Sequence, residues 1–285
     1  MKDEVSKLLD KVRKSDGSAF TIVEFVLDDI IRLANTGRMS RERWKELALG
    51  LKEAKRSMAP LYNISNMILL NLEKENFEKE LAQELDSIHK DHTDSVRTIS
   101  DKFVRDHRPR RVMVNSYSAT VMECLLRLAQ EVDLEVTVAE SLPMGEGVMF
   151  AESLASRKVK AEIISDSMVF EWMKKVDMFL SGADAIVPGK IYNKVGSKSI
   201  VHAAHSEGKV VIVVCDTLKI APMEIYDLSG KVTVMGQRLK RHTCLFECFE
   251  SSLVDMVITE KWSRSGADLQ DIFKSWRTSP LLEKV

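Results

Sequence analysis

Between Ser181 and Ile200 the sequence sets a carboxylate, an amide and an ammonium group among three glycines. Asp184 can hold or release a proton, Asn193 offers both a donor and an acceptor, and Lys194 carries a cation suited to a phosphate. Gly189 and Gly196 allow the backbone to turn and to approach a bound molecule closely. Two other loops bring similar chemistry. Asn115 to Thr120 supplies the hydroxyls of Ser116 and Ser118, and Asp216 to Lys219 ends in an ammonium that suits an anion. A fourth loop, Glu140 to Gly147, contains glycine but matches neither a Walker sequence nor a GxGxxG turn. Plainer readings stand beside each: Ser118 as a helix cap, Lys219 as a solvated side chain, and Gly-Ala-Asp and Asn-Lys as ordinary turn residues.

The elements that must position these groups follow from the hydrophobic rhythm. Residues 1 to about 107 read as helix nearly throughout, with Ile22, Phe25, Val26, Ile30 and Leu33 on one stripe. Asp16 to Ala19 interrupts two helices, Ser18 being placed to cap the second. Glu73 to Arg105 reads as one long charged helix, and His89 and His92 are expected on its solvated face. From Arg110 short strands alternate with helices: strands at Arg111–Val114, Leu134–Val138, Ala161–Ile164, Val176–Leu180 and Val210–Val214. That repetition predicts parallel strands with right-handed crossovers, an α/β fold with a Rossmann-like, mostly parallel sheet. Asp184 and the other loops then lie at the carboxyl edge of the sheet, where open α/β sheets gather ligands. The helix expected from Ser199 would turn free N–H groups toward an anion. Two regions are expected, a helical one over 1–107 and a ligand-binding one over 108–285. After Lys219 the rhythm breaks, and the remaining strands either extend the sheet or form a subunit contact.

The chain has 285 residues, 42 basic and 43 acidic side chains. A near-neutral balance argues against direct nucleic-acid binding or a membrane surface. No apolar stretch nears the roughly 20 residues of a spanning helix, and the polar first residues lack the form of a signal peptide, so a cytoplasmic protein is expected. Cys124, Cys215, Cys244 and Cys248 are too few and scattered for a disulfide framework; Cys244 and Cys248, four apart with His242 near them, could suggest a metal, but no second ligand cluster lies nearby in sequence and buried thiols are expected. His202 and His205 lack further ligands, so no metal and no cofactor is expected.

Read in order, several short motifs resemble one family. They are Gly17-Ser18-Ala19, Arg56 through Asn63, Ser116-Tyr117-Ser118, Thr137 through Ser141, Gly182-Ala183-Asp184, Asn193 through Gly196, and Asp216 through Lys219. This order resembles the family uniting the regulatory alpha, beta and delta subunits of translation initiation factor 2B with isomerases of methylthioribose 1-phosphate and ribose 1,5-bisphosphate. The resemblance implies a helical amino-terminal domain, a Rossmann-like carboxyl-terminal domain and a homodimer or higher oligomer formed largely through the latter. It also implies a phosphorylated small molecule as ligand and a translation initiation factor as partner. Gly17, Ser18, Arg56, Ser118, Asn193, Lys194 and Lys219 would contact the ligand.

In the isomerase branch a cysteine and the aspartate of Gly-Ala-Asp shuttle the proton. Asp184 retains the aspartate, whereas Ser116 stands at the cysteine position. A thiol can be tuned toward neutrality; a serine hydroxyl does not ionise usefully without a strong base. Leu142 replaces an arginine common in the family, removing a bidentate phosphate clamp. A regulatory binding protein is therefore the leading expectation. Alternatives are an aldose-ketose isomerase acting through Asp184 and Ser116, and a structural homodimer with a vestigial pocket.

Overall fold

The computed structural model describes residues 3–15, 19–56, 58–223, 231–235 and 239–283. Gly17 and Ser18, expected at the ligand, lie outside these residues. Five helices come first: α1 (Glu4–Lys14), α2 (Ala19–Asn35), α3 (Arg41–Ala54), α4 (Ala59–Asn71) and the 30-residue α5 (Phe77–Asp106). Ser40 caps α3 by accepting from the Arg43 N–H, and Pro60 sits in the first turn of α4, where its missing N–H costs nothing. α4 is buried on almost every side, which is why it carries Asn66 and Asn71 with their amides bonded internally to Arg277 and Met67 carbonyls.

The alternating region gives β1 (Arg111–Val114), α6 (Ala119–Leu128), β2 (Glu135–Ala139), α7 (Glu146–Ser156), β3 (Lys160–Ile164), α8 (Val169–Met173) and β4 (Met178–Ser181). There follow β5 (Ala185–Val187), β6 (Lys190–Lys194), α9 (Ser197–Ser206) and β7 (Val210–Val214). The last elements are β8 (Lys231–Met235), β9 (Leu239–Thr243), β10 (Phe246–Glu250), β11 (Met256–Ile258), β12 (Ser263–Arg264), α10 (Gln270–Phe273) and α11 (Pro280–Glu283).

The main sheet runs β12-β11-β7-β4-β1-β2-β3, parallel throughout except for the terminal β12. Alternate residues of each strand enter two cores. Val112, Val114, Val136, Val138, Leu180 and Val214 face one helical layer with Ile99 and Phe103 of α5, Leu125 of α6 and Phe150 of α7. Met113, Phe179, Val211 and Val213 face the other, with Met173 of α8 and Ile200 and Ala204 of α9. Burial on both faces explains the nearly unbroken apolar strands. The winding direction reverses between β1 and β4, and the crevice at their carboxyl ends is where such sheets take ligands.

Two expectations are corrected. The stretch after β4 is not a plain loop: Pro188 and Gly189 turn β5 into β6, and β10 pairs antiparallel with β6 to complete a second, three-stranded sheet. Apolar Ala185, Val187 and Tyr192 of this sheet join the core formed by the amino-terminal helices. His92 is not on a solvated face. It is 2% exposed and stacks on Phe20 with ring centroids 4.2 Å apart, while His89 remains at the surface beside Asp28. Of the cysteines, Cys124 and Cys215 are buried, and Cys244 and Cys248 are half-buried rather than enclosed. No described helix is long and apolar enough to cross a membrane.

Candidate functional site

Asp184 leaves β4 and is held by the β5–β6 hairpin, its N–H donating to the Tyr192 carbonyl at 2.9 Å. Its carboxyl makes no hydrogen bond among the described residues. Burial pushes its pKa up, the Lys219 and Lys194 ammonium groups pull it back, and the Glu146 carboxylate adds to the rise. A buried carboxyl group and two cations from separate parts of the chain therefore act on one another at the reversal point of the sheet.

Lys194, on β6 and only 3% exposed, places its Nζ 2.8 Å from Oε1 and 2.9 Å from Oε2 of Glu146. Glu146 begins α7, where the helix dipole favours a carboxylate, and its Oε1 also accepts from the Ser116 hydroxyl at 3.0 Å. Ser116 has the left-handed backbone that favours glycine (φ 63°) and donates its N–H to the Ser141 hydroxyl at 2.7 Å. Ser116, Glu146 and Lys194 thus form one connected chain beside Asp184. The Lys219 backbone N–H donates to the Asp216 carbonyl at 3.2 Å, while its ammonium group makes no ion pair or hydrogen bond among the described residues.

Asn193 is adjacent but committed. Its amide donates to the hydroxyls of Ser181 at 2.7 Å and Ser197 at 3.0 Å, and Ser197 also accepts from Asn115 at 2.8 Å. This buried network ties the ends of β1, β4 and β6 to α9. Ser118 caps α6 through the Val121 N–H, as the plainer reading held, and its hydroxyl lies against the backbone of Gly182. Arg56, at the end of α3, is exposed and ion-paired with Glu53; no hydrogen bond joins it to the Asp184 group among the described residues.

The amino end of α9, expected as a free anion receptor from Ser199, begins at Ser197 and is already occupied. Glu247 of β10 accepts from the N–H groups of Gly196 at 2.6 Å and Lys198 at 2.9 Å. A carboxylate of the protein itself satisfies that helix end. Glu247 and Glu146 are the two site residues that sequence reasoning missed. Glu146 carried one usable signal, an acidic residue directly before the apolar rhythm of a helix, placed between two glycines.

No described group of histidine, cysteine, aspartate and glutamate residues has the form of a metal site. The arrangement is that of a Rossmann-like protein in which one carboxyl group lies within the influence of two ammonium groups and a second carboxylate. The profile of the initiation factor 2 subunit family matches residues 12–261, and the chain belongs to that family. It is 27% identical over 150 residues to translation initiation factor eIF2B subunit beta of Dictyostelium discoideum, covering 52% of this chain and 37% of that one. It is 29% identical over 113 residues to ribose 1,5-bisphosphate isomerase of Haloferax volcanii, covering 39% and 35% respectively. The matched stretch thus spans little more than a third of either relative. The fold is similar to a chain of the tetrameric eIF2B-beta2-delta2 complex from C. thermophilum, with a TM-score of 0.77, 15% identity, and 95% and 93% of the two chains covered.

Proposed function

We propose that the chain is a translation initiation factor 2B subunit-like protein that binds a phosphorylated small molecule, a sugar phosphate or nucleotide, in the hollow at Asp184, in a regulatory role. The observation that carries this reading is the pairing of an acid free of hydrogen bonds with the uncommitted ammonium of Lys219 at the sheet reversal. An anion entering there gains Lys219 and shares Lys194 with Glu146. Gly17, Ser18 and Arg56 belong to this proposal through the family resemblance, and Ser118 and Asn193 serve it by fixing the walls. Regulation rather than turnover is favoured because Ser116 donates to a carboxylate that is itself neutralised by Lys194. Such a carboxylate is a weak base for a hydroxyl whose own proton is held far above neutral pH.

The second reading, an aldose-ketose isomerase on ribose 1,5-bisphosphate, draws on Asp184. Burial raises its pKa above the ordinary aspartate value, the direction a proton-shuttling acid needs, and a family relative bears that isomerase name. NMR of ribose 1,5-bisphosphate incubated with the protein separates the two. Binding without a ketose product is the expected result. Ketose that forms with the native chain and vanishes in Asp184→Asn would replace the regulatory reading with the catalytic one.

The helical residues 1–107 and the sheet residues 108–285 are proposed to act as two domains, with the ligand site on the second. A cytoplasmic homodimer is proposed as the assembly. Leu142, Met144, Met149, Ile163 and Phe170 are large apolar side chains exposed around the β3 edge of the sheet, on the loop after β2, on α7, on β3 itself and on α8. A second copy would cover them. An initiation factor is the partner protein that family membership suggests.

A further inference from the structure

Lys219 ends a single 3₁₀ turn, Thr217–Lys219, and the two peptide carbonyls on either side of it are held by one side chain from the helical half of the chain. Asn63 of α4 donates through its amide nitrogen to the carbonyl of Leu218 at 2.7 Å and to that of Ile220 at 2.8 Å, 155 and 157 residues away in sequence. A flipped amide would set its oxygen against the same two carbonyls, so both bonds require this orientation. The start of the turn is gripped from the other side. Glu260 accepts from the Thr217 N–H at 3.0 Å and from the Thr217 hydroxyl. The backbone of that segment is itself tied to the helical half, since Nζ of Lys102 on α5 donates to the carbonyls of Glu260 at 2.8 Å and Thr259 at 2.9 Å.

The amide of Asn63 is committed to this turn. Its Oδ1 is buried without a partner among the described residues, which is unfavourable, and a leucine of similar size would avoid that penalty. What the amide alone provides is the grip on Leu218 and Ile220. Asn66, on the same helix, differs: it donates to the Arg277 carbonyl at 2.9 Å and accepts from the Ser279 N–H at 2.8 Å. The Lys219 ammonium has no tether of its own among the described residues, so the turn beneath it decides where it stands. Of the charges acting on Asp184, Lys219 lowers the pKa most. Lys194 and Glu146 face Asp184 from β6 and α7, and neither is bonded to Asn63.

We propose that Asn63 is a positioning residue: through its amide the helical half of the chain fixes the place of the Lys219 ammonium, and so sets how strongly the Asp184 site holds a phosphate. The effect on phosphate rests on the anion site proposed above, whereas the effect on Lys219 does not. Without the amide the two carbonyls turn toward water, the turn loosens, and a cation on a flexible stem moves out to solvent, where it is better hydrated. A shift of α4 against the sheet would reach Lys219 by the same two bonds.

Carbon NMR of the Asp184 carboxyl, in the full chain labelled at aspartate and assigned with Asp184→Asn, reads the position of Lys219 without any ligand. Asn63→Leu keeps the volume and removes the donors. It is expected to raise the Asp184 pKa by about half or more of the rise that Lys219→Ala produces, and to add nothing in the double variant. Asn63→Ser, which retains a single donor, should give a smaller rise of the same kind, and it decides the matter should Asn63→Leu fail to fold. In calorimetry with ribose 1,5-bisphosphate, Asn63→Leu should weaken binding about fivefold or more, and make no difference once Lys219 is alanine. If the native chain does not bind the sugar phosphate but the pKa response is present, the anion site is lost and the role of Asn63 stands. An Asp184 pKa unchanged in both Asn63 variants, or an equal rise with and without Lys219, would overturn that role whether or not the sugar phosphate binds.

Discussion

Lys194 and Glu146 are joined across the mouth of the sheet, with Nζ 2.8 Å from one carboxylate oxygen and 2.9 Å from the other. The lysine stands on a hairpin of the second sheet, the glutamate at the start of α7, so the pair fastens two parts of the fold over Asp184. It also means that any incoming anion competes with Glu146 for this cation.

Removing that competitor is expected to have two opposite effects. Glu146→Gln leaves Lys194 buried without its counter-charge and should cost about 2 kcal/mol of stability, less than for a wholly buried pair because Glu146 is partly exposed. The freed ammonium should then hold ribose 1,5-bisphosphate more tightly than in the native chain. Chemical denaturation and calorimetry read the two effects separately; weaker binding together with lower stability would show that Glu146 itself supports the ligand.

The raised pKa of Asp184 makes stability depend on pH in a defined direction. The folded chain holds this proton more firmly than the unfolded chain, so the contribution is complete below the ordinary aspartate value and is lost as pH rises through the folded pKa. Asp184→Asn removes the charge that burial penalises. Relative to the native chain it should therefore gain stability at neutral pH, and the gain should fade toward pH ~4. Urea midpoints measured from pH 4 to pH 8 check this, and a gain largest at the acid end would mean that Asp184 is stabilised as the anion.

Gly147 follows Glu146 with no room for a side chain. A β-carbon there would stand 1.9 Å from the carbonyl oxygen of Ala139 and 2.9 Å from that of Glu140. Both obstacles are backbone, so relief requires α7 to move away from the end of β2. Gly147→Ala is expected to destabilise by about 3 kcal/mol or more. Thermal melts of the variant provide the check; a change within experimental scatter would contradict the close packing of α7.

The exposed apolar side chains around β3 give the assembly prediction. Sedimentation equilibrium should find the native chain dimeric and Phe170→Glu, alone or with Met149→Glu, shifted toward monomer with its helical signal retained. Dimers of undiminished strength in the double variant would place the subunit contact elsewhere.

Local pattern was enough to read the helical start, the parallel sheet and the loops at its carboxyl edge, because burial on both faces writes itself into apolar runs such as Val210 to Val214. What escaped was set by partners distant in sequence. Glu146 lies 48 residues from Lys194, and Glu247 lies 51 residues from the Gly196 N–H that it fills. Nothing within either segment announces its partner. The β5–β6 hairpin was hidden because its polar and glycine residues look like a ligand loop, and its pairing with β10 bridges a long stretch of chain. His92 was misread for the same reason: the charged residues around it suggest water, while Phe20 and the turn at Asp216 enclose it.

The account depends most on one shared anion site beside Asp184, and a calorimetric titration of ribose 1,5-bisphosphate into the native chain, Lys194→Ala and Lys219→Ala tests it most directly. Saturable binding to the native chain, weakened at least about tenfold by either substitution with the fold intact, is predicted. No binding to the native chain, or equal affinity in all three proteins, would contradict it.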